Sequence, residues 1–252
     1  MPIEILYGRH AVHEALRARR RKLYTLNLAA GAKQTGLVAE IVQLAQQAGC
    51  RAQQVDKQQF ERALPDVNHQ GLALETSPYP YVALDQILAQ AGQRNEAPLL
   101  LMLDHLEDPQ NVGTLLRTAE AMAVHGVILP DRRSAAITPA VCNASSGAVE
   151  HLLIAQVTNI ARTQDELKRR NVWIVGLDDR PEAQELLRSD LSGALALVVG
   201  AEGSGLSRLA REQCDWLVRI PMAGQVGSLN AAVAGSVALV AARSARSQPP
   251  AA

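Results

Sequence analysis

The sequence predicts an α/β protein with a parallel-sheet domain in its C-terminal part and a smaller α/β domain ahead of it. Three observations predict this. From residue 98 onward, continuous apolar runs such as "LLLMLD", "GVILP", "VWIVGLD" and "LALVVGAE" alternate with helical stretches. Runs that are apolar at every position suit parallel strands buried on both faces, and the alternation suits helices that cover such a sheet. Residues 1–75 carry shorter strands and helices, in a unit near the lower size limit of a domain. Hydrophobic residues make up 48% of the 252, enough to give the chain a real core.

The elements follow in order. "HAVHEALRAR" has helical spacing, and "LYTLNLA" alternates as a strand does. "GLVAEIVQLAQQAG" is an amphipathic helix that Gly49 stops, and "RAQQV" and "GLALET" read as further strands. "TSPYPYVA" stiffens the chain through Pro78 and Pro80. A short helix near residues 84–91 and the polar "GQRNEA" complete an expected linker over residues 76–97. The parallel-sheet domain is expected over 98–246, with a flexible tail at 247–252. Its first helix lies in "DPQNVGTLLRTAEAMAV", where Asp108 suits the cap and Pro109 the first turn. In sheets of this kind ligands gather at the carboxyl ends of the strands.

Composition removes several classes of function. A formal net charge of zero argues against a protein that coats nucleic acid nonspecifically. The average hides one basic run, "RARRRKL", with Arg17, Arg19, Arg20, Arg21 and Lys22. Such a run is either a solvated face or a grip on phosphates. Aromatic residues are only 3%, too few for a base-stacking sheet, so an RNA substrate would be read by backbone, shape and hydrogen bonds. Cys50, Cys142 and Cys214 have neither disulfide nor metal-knuckle spacing, and no metal site is expected. No secretory signal or membrane-length apolar run is evident, so the expected setting is cytoplasmic, without a membrane partner.

Three polar clusters stand where strands should end. Asn111 lies in the first turn of the capped helix, and Arg117 points away from its apolar stripe of Val112, Leu115, Leu116 and Ala119. "VVGAEGSGLS" puts Glu202 among Gly200, Gly203 and Gly205, which permit a sharp turn and close approach of a ligand. "IPMAGQVGSLNAAVAGSVALV" runs from a strand end through a glycine-bearing loop into a helix, with Ser228 and Asn230 at the junction. Ser228 is placed to cap that helix, and the loop backbone must find partners or face a ligand.

In sequence order, "NVGTLLRTAEA", "LVVGAEGSGLS" and "IPMAGQVGSLNAAVA" resemble the motifs of the SpoU, or TrmH-like, branch of the SPOUT RNA methyltransferases. "SSGAVEHL" also resembles a segment of that family, and the likeness covers about residues 98–243. The first 75 residues, with "YGRHAVHEAL", are similar to the L30e-like RNA substrate-binding domain of the RlmB group. The resemblance implies a parallel-sheet SPOUT domain with a trefoil knot, a homodimer and 23S rRNA as partner. It implies transfer of a methyl from S-adenosylmethionine to a guanosine ribose 2′-oxygen in the peptidyl-transferase region. Gly200, Ile220, Met222 and Leu229 would hold the donor, and Asn111, Arg117, Glu202, Ser228 and Asn230 would form the catalytic group. Arg9, Arg19, Arg20 and Arg21 would contact RNA. The chain has Ala232 where the family often has a hydroxyl-bearing residue, and Asn143 where it often has lysine.

A ribose hydroxyl is a poor nucleophile, so such a site must align the acceptor oxygen and help remove its proton. Arginine holds its proton too firmly to act as a simple base. Arg117 is therefore read as stabilising developing alkoxide charge while an RNA phosphate helps pass the proton on. A tRNA ribose methyltransferase would carry the same motifs, and a noncatalytic RNA-binding assembly factor is the alternative outside enzymes. A Rossmann oxidoreductase is disfavoured because GxGxxG does not follow the first strand.

Overall fold

A computed structural model describes residues 2–32 and 35–247. Of the expected tail, residues 248–252 lie outside the described residues. The N-terminal elements are β1 (Glu4–Tyr7), α1 (Arg9–Ala18), β2 (Leu23–Ala29), α2 (Leu37–Gln47), β3 (Arg51–Val55), α3 (Lys57–Ala63) and β4 (Leu72–Thr76). Then come α4 (Leu84–Gln93), β5 (Leu99–Asp104), α5 (Pro109–Ala121), β6 (Gly126–Pro130), α6 (Pro139–Ala144), β7 (Ile154–Val157) and α7 (Ile160–Lys168). The remainder are β8 (Trp173–Leu177), β9 (Gln184–Glu185), β10 (Leu195–Gly200), α8 (Arg208–Glu212), β11 (Trp216–Arg219) and α9 (Ala231–Ser247). Two compact units result: Met1–Pro80 with Ile137–His151, and Tyr81–Ala136 with Leu152–Ala252.

The first unit is built on a four-stranded sheet in the order β1-β4-β2-β3, antiparallel except for the β2–β3 pair. Alternation puts Leu26, Leu28, Leu72 and Leu74 inside, and the apolar stripe of α1 buries Ala11, Val12, Ala15 and Leu16 against them. The excursion 137–151, expected within the parallel-sheet domain, belongs to this unit. It brings α6 against β1 and delivers Glu150 to the unit's interior.

That interior corrects the reading of Arg21 as an RNA contact. The Arg21 side chain is fully buried, and its Nε donates to Glu150 Oε2 at 2.9 Å. Its Nη1 donates to Glu4 Oε2 at 2.6 Å and to the Ser77 carbonyl at 3.1 Å, and its Nη2 to Cys142 Sγ at 3.3 Å. Burial alone would weaken the guanidinium's hold on its proton, but the hydrogen bonds and charge of Glu150 outweigh it and strengthen that hold. Arg20 is half-buried: it lies over the Tyr79 ring at 5.2 Å and donates to the Pro80 carbonyl at 3.2 Å. Arg9 and Arg19 remain exposed. The basic run is thus partly a charged interior, because α1 ends at Arg19 in a left-handed turn (φ 51°) and the chain then heads inward.

The second unit contains a seven-stranded sheet, order β7-β6-β5-β10-β8-β11-β9, with every pair parallel. Every residue of β5, β6 and β10 is buried, as their unbroken apolar runs predict. The expected linker differs from its reading. Within α4, Ile87 and Ala91 are fully buried, and Ile87 packs so close to Gly126 that a Cβ there would meet it at 2.4 Å. A helix with two solvent-shielded apolar positions is part of this core, although its shortness made it look like a connector. No helix among the described residues is long and apolar enough to cross a membrane.

Candidate active site

The carboxyl ends of β5, β8, β10 and β11 each lead into a loop, and three of these loops carry the polar clusters. At the end of β5, Asp108 accepts from the backbone N–H of Gln110 and Asn111 and starts α5 with Pro109 in its first turn. This sets Asn111 at the helix start. At the end of β10 the chain makes a tight turn closed by Ala201–Gly205 backbone bonds of 3.1 and 2.9 Å. Gly203 (φ 77°) and Gly205 (φ 64°) supply the left-handed backbone, and Glu202 stands at the tip. A Cβ on Gly200 would lie 2.2 Å from the Gly205 carbonyl carbon, so only glycine fits there.

The third loop explains the serine and asparagine before α9. The side-chain oxygen of Asn230 accepts from the N–H groups of Ala232 (2.9 Å) and Val233 (3.2 Å). Asn230, rather than Ser228, therefore caps α9. That use of the oxygen fixes the amide's orientation and turns its NH2 group outward. The NH2 donates to Asn111 Oδ1 at 2.9 Å and to Glu202 Oε1. Three residues separated by up to 119 positions meet as one hydrogen-bonded group.

This group stands at a cavity of about 840 Å³. Gly200, Ile220, Met222 and Leu229 all line it, and so do Glu202, Ser228 and Asn230. Asn111 reaches it through Asn230. Residues 221–230 are all exposed, and among the described residues the backbone N–H groups of 222–229 make no hydrogen bond to another backbone group. A strip of free backbone groups along a cavity wall can read the edge of a bound base. The volume suits a ligand of nucleoside size or larger. Arg117 is not among the lining residues; it is exposed on α5, where neighbouring Thr118 meets Ser236 of α9 at 2.9 Å.

Sequence reasoning missed part of the wall. Leu177 and Asp178, at the end of β8, line the cavity together with Arg211 and Arg219. Asp178 is nearly buried and accepts from Arg211 Nε at 2.7 Å. The signal was available: "VWIVGLD" reads as a parallel strand, so its end must open on the same crevice as its neighbours. Asp104 was missed as well. Buried at the end of β5, it accepts from the Ser207 N–H at 2.7 Å and pins the far side of the Glu202 loop. Among the described residues no cluster of metal-ligating side chains is present. Arg9, Arg19 and Arg20 belong to the first unit and are not part of this cavity.

Comparison with known proteins agrees with this geometry. Residues 98–240 match the SpoU rRNA Methylase family, and residues 5–82 match the family described as RNA 2′-O ribose methyltransferase substrate binding. The chain is 41% identical over 235 residues to the putative TrmH family tRNA/rRNA methyltransferase YacO of Bacillus subtilis, covering 93% of this chain and 92% of that one. A putative TrmH family tRNA/rRNA methyltransferase of Staphylococcus aureus is also 41% identical, over 234 residues, covering 92% of each chain. Among solved structures, the SpoU methyltransferase AviRb of Streptomyces viridochromogenes, in complex with AdoMet, superposes with a TM-score of 0.79 at 23% identity, over 97% of this chain and 90% of that one. With the α/β architecture, the parallel sheet and both sequence matches in agreement, the chain belongs to the SpoU methylase family and has the SPOUT fold.

Proposed function

We propose that this S-adenosylmethionine-dependent RNA 2′-O-methyltransferase acts on a guanosine ribose in the peptidyl-transferase region of 23S rRNA, in the cytoplasm. One observation carries the placement of the chemistry: the bonded Asn111–Asn230–Glu202 group on the wall of a cavity lined by free loop backbone. The match of residues 5–82 to a substrate-binding family supports an RNA substrate, and the description of a Sinorhizobium meliloti structural neighbour as an rRNA methyltransferase (TM-score 0.74, 24% identity, 96% of this chain and 87% of that one) favours rRNA.

The cavity fits the donor in size and in chemistry. Gly200, Ile220 and Leu229 offer backbone groups to its adenosine, Met222 gives an apolar contact, and Glu202 supplies a carboxylate to a cationic ligand. The donor, when bound, supplies a methyl group already activated by a positively charged sulfur. The chain's part is alignment and proton handling. Asn230, held by its helix and by two partners, keeps Glu202 in a single orientation, and Ser228 adds a hydroxyl at the cavity wall. Arg117 stabilises charge as it develops on the ribose oxygen.

Arg117 lies outside the cavity lining of its own chain, and this favours a site completed by a second copy. The exposed face of α9 carries Val233, Val237 and Val240, an apolar row suited to such a partner. Tritium-labelled methyl transfer to separate rRNA and tRNA pools, with mapping of the modified nucleotide, tests the reaction and the target together. Label confined to a tRNA fraction would overturn the rRNA assignment; no label in either pool would overturn the enzyme reading. Sedimentation should give about twice the 27.0 kDa chain mass.

A further inference from the structure

Both tryptophans of the chain stand together at the amino-terminal edge of the parallel sheet, opposite the strand ends that form the donor cavity. Trp173 opens β8 and Trp216 opens β11, and their rings lie 5.8 Å apart with a 53° tilt. With Asp190, Ser192, Gly193 and Leu195 they line a second cavity, of about 300 Å³. Trp173 is 56% exposed, an unusual cost for the largest side chain in a protein so poor in aromatics. The indole N–H of Trp216 is buried without a partner among the described residues. The reaction proposed above uses none of these groups.

The chemistry of the wall selects its ligand. Indole faces attract cations through the ring quadrupole. Asp190 adds a formal negative charge; one of its oxygens accepts from both the N–H (3.0 Å) and the hydroxyl (2.6 Å) of Ser192. These bonds hold its carboxyl below the usual carboxylate range. The stretch 186–190 that leads to it carries one basic residue, Arg188, which is paired with Glu185 at 3.1 Å. It also exposes Leu187 at 82%. A phosphate would meet the Asp190 carboxylate, the one charged side chain in the lining. A bare cation would leave the Trp216 N–H unanswered, whereas a peptide brings a carbonyl acceptor as well as a side chain.

We propose that the Trp173–Trp216 cavity binds an arginine or lysine side chain of a basic protein segment, with Asp190 as its counter-ion. The site gives the enzyme a protein partner on the edge of the sheet turned away from the reaction. It is independent of which RNA is methylated.

The two tryptophans are the only ones in the chain, so intrinsic fluorescence reports this site alone. The probe is a blocked Gly-Arg-Gly tripeptide titrated into the full-length protein, with blocked Gly-Glu-Gly and guanosine monophosphate as comparisons. The arginine peptide should shift the emission saturably in the millimolar range, and the acidic peptide should not. Asp190→Asn should weaken binding about tenfold, as expected for loss of a charge-assisted contact. Gly193→Leu should abolish it, because a Cβ there meets only Trp173, at an ordinary 4.0 Å, so the new side chain can fill the cavity without strain. Both variants should keep normal thermal unfolding and methyl transfer. No saturable shift, equal response to the acidic peptide, or unchanged affinity in both variants would overturn the proposal. A stronger response to the nucleotide would overturn it too and turn the site over to an RNA base.

Discussion

Each unit of the protein gathers polar side chains from distant parts of the chain, and the two gatherings are built in opposite ways. In the first unit Arg21, Glu150 and Glu4 are joined by charge, with Arg21 and Glu150 closed off from water and Glu4 at the margin. In the second, Asn111, Asn230 and Glu202 are joined mainly by amide hydrogen bonds and stand open on a cavity. Burial makes a charge cluster expensive to break and useless as a contact surface. Exposure makes the amide group cheap for stability and available to a ligand. The difference teaches that a run of like charges in sequence is a poor guide to a binding surface, whereas separated polar residues at strand ends are a good one.

The largest expected effect is on the buried side. Glu150→Ala leaves Arg21 charged and half-partnered in the interior, and stability should fall by about 3–5 kcal/mol. Urea unfolding followed by circular dichroism measures it, and a loss below about 1 kcal/mol would show the cluster to be hydrated. The open side should respond in rate instead. Arg117→Ala should fold normally and bind the donor, while single-turnover methyl transfer falls by about 100-fold or more. Arg117→Lys should rescue only partly, because an ammonium lacks the planar paired donors. A near-normal rate for the alanine variant would leave Arg117 a solvated helix residue.

Asn230→Ala tests both sides of the contrast at once. It removes the α9 cap, for about 1 kcal/mol, and releases Asn111 and Glu202. Donor affinity measured by calorimetry should weaken more than this modest loss of stability explains. Ser228→Ala should cost little stability, since Asn230 supplies the cap. The smallest effect is expected at the exposed remainder of the basic run. Neutralising Arg9 and Arg19 should lower the salt dependence of RNA binding, by about one unit of slope for each phosphate no longer neutralised. Stability should be unchanged, in contrast to Glu150→Ala. Unchanged RNA affinity across salt concentrations would remove these residues from the interface.

What was legible in the sequence follows the range of the forces involved. Alternation of apolar strands and helices is local, so the parallel sheet, the Asp108 cap and the Pro109 start are all legible in the sequence. That the loops around Gly200 and Leu229 border one cavity was readable too, because strand ends in a parallel sheet share one crevice, whereas their part in holding a donor is what the family motifs imply. The excursion 137–151 was not readable. Its attachment to the first unit depends on pairs such as Arg21–Glu150, 129 positions apart, and no periodicity records such a pair. The same holds for α4, whose ten residues look like a connector until Ile87 is seen against Gly126. Ser228 was read as the helix cap because serine suits that role, yet Asn230 is nearer the helix start and fills it.

The Arg21–Glu150 pair also has a consequence for synthesis. A ribosome extends the chain from its N-terminus, so Arg21 emerges long before its counter-ion. At ordinary elongation rates the delay for 129 residues is on the order of ten seconds. During that interval the strands β1 to β4 can already pair, with only Glu4 to balance a guanidinium destined for the interior. The nascent unit must remain hydrated around Arg21 until residue 150 arrives. Its early sheet is thus a waiting scaffold, and a ribosome stalled near codon 136 would expose it, unfinished, to chaperones and proteases.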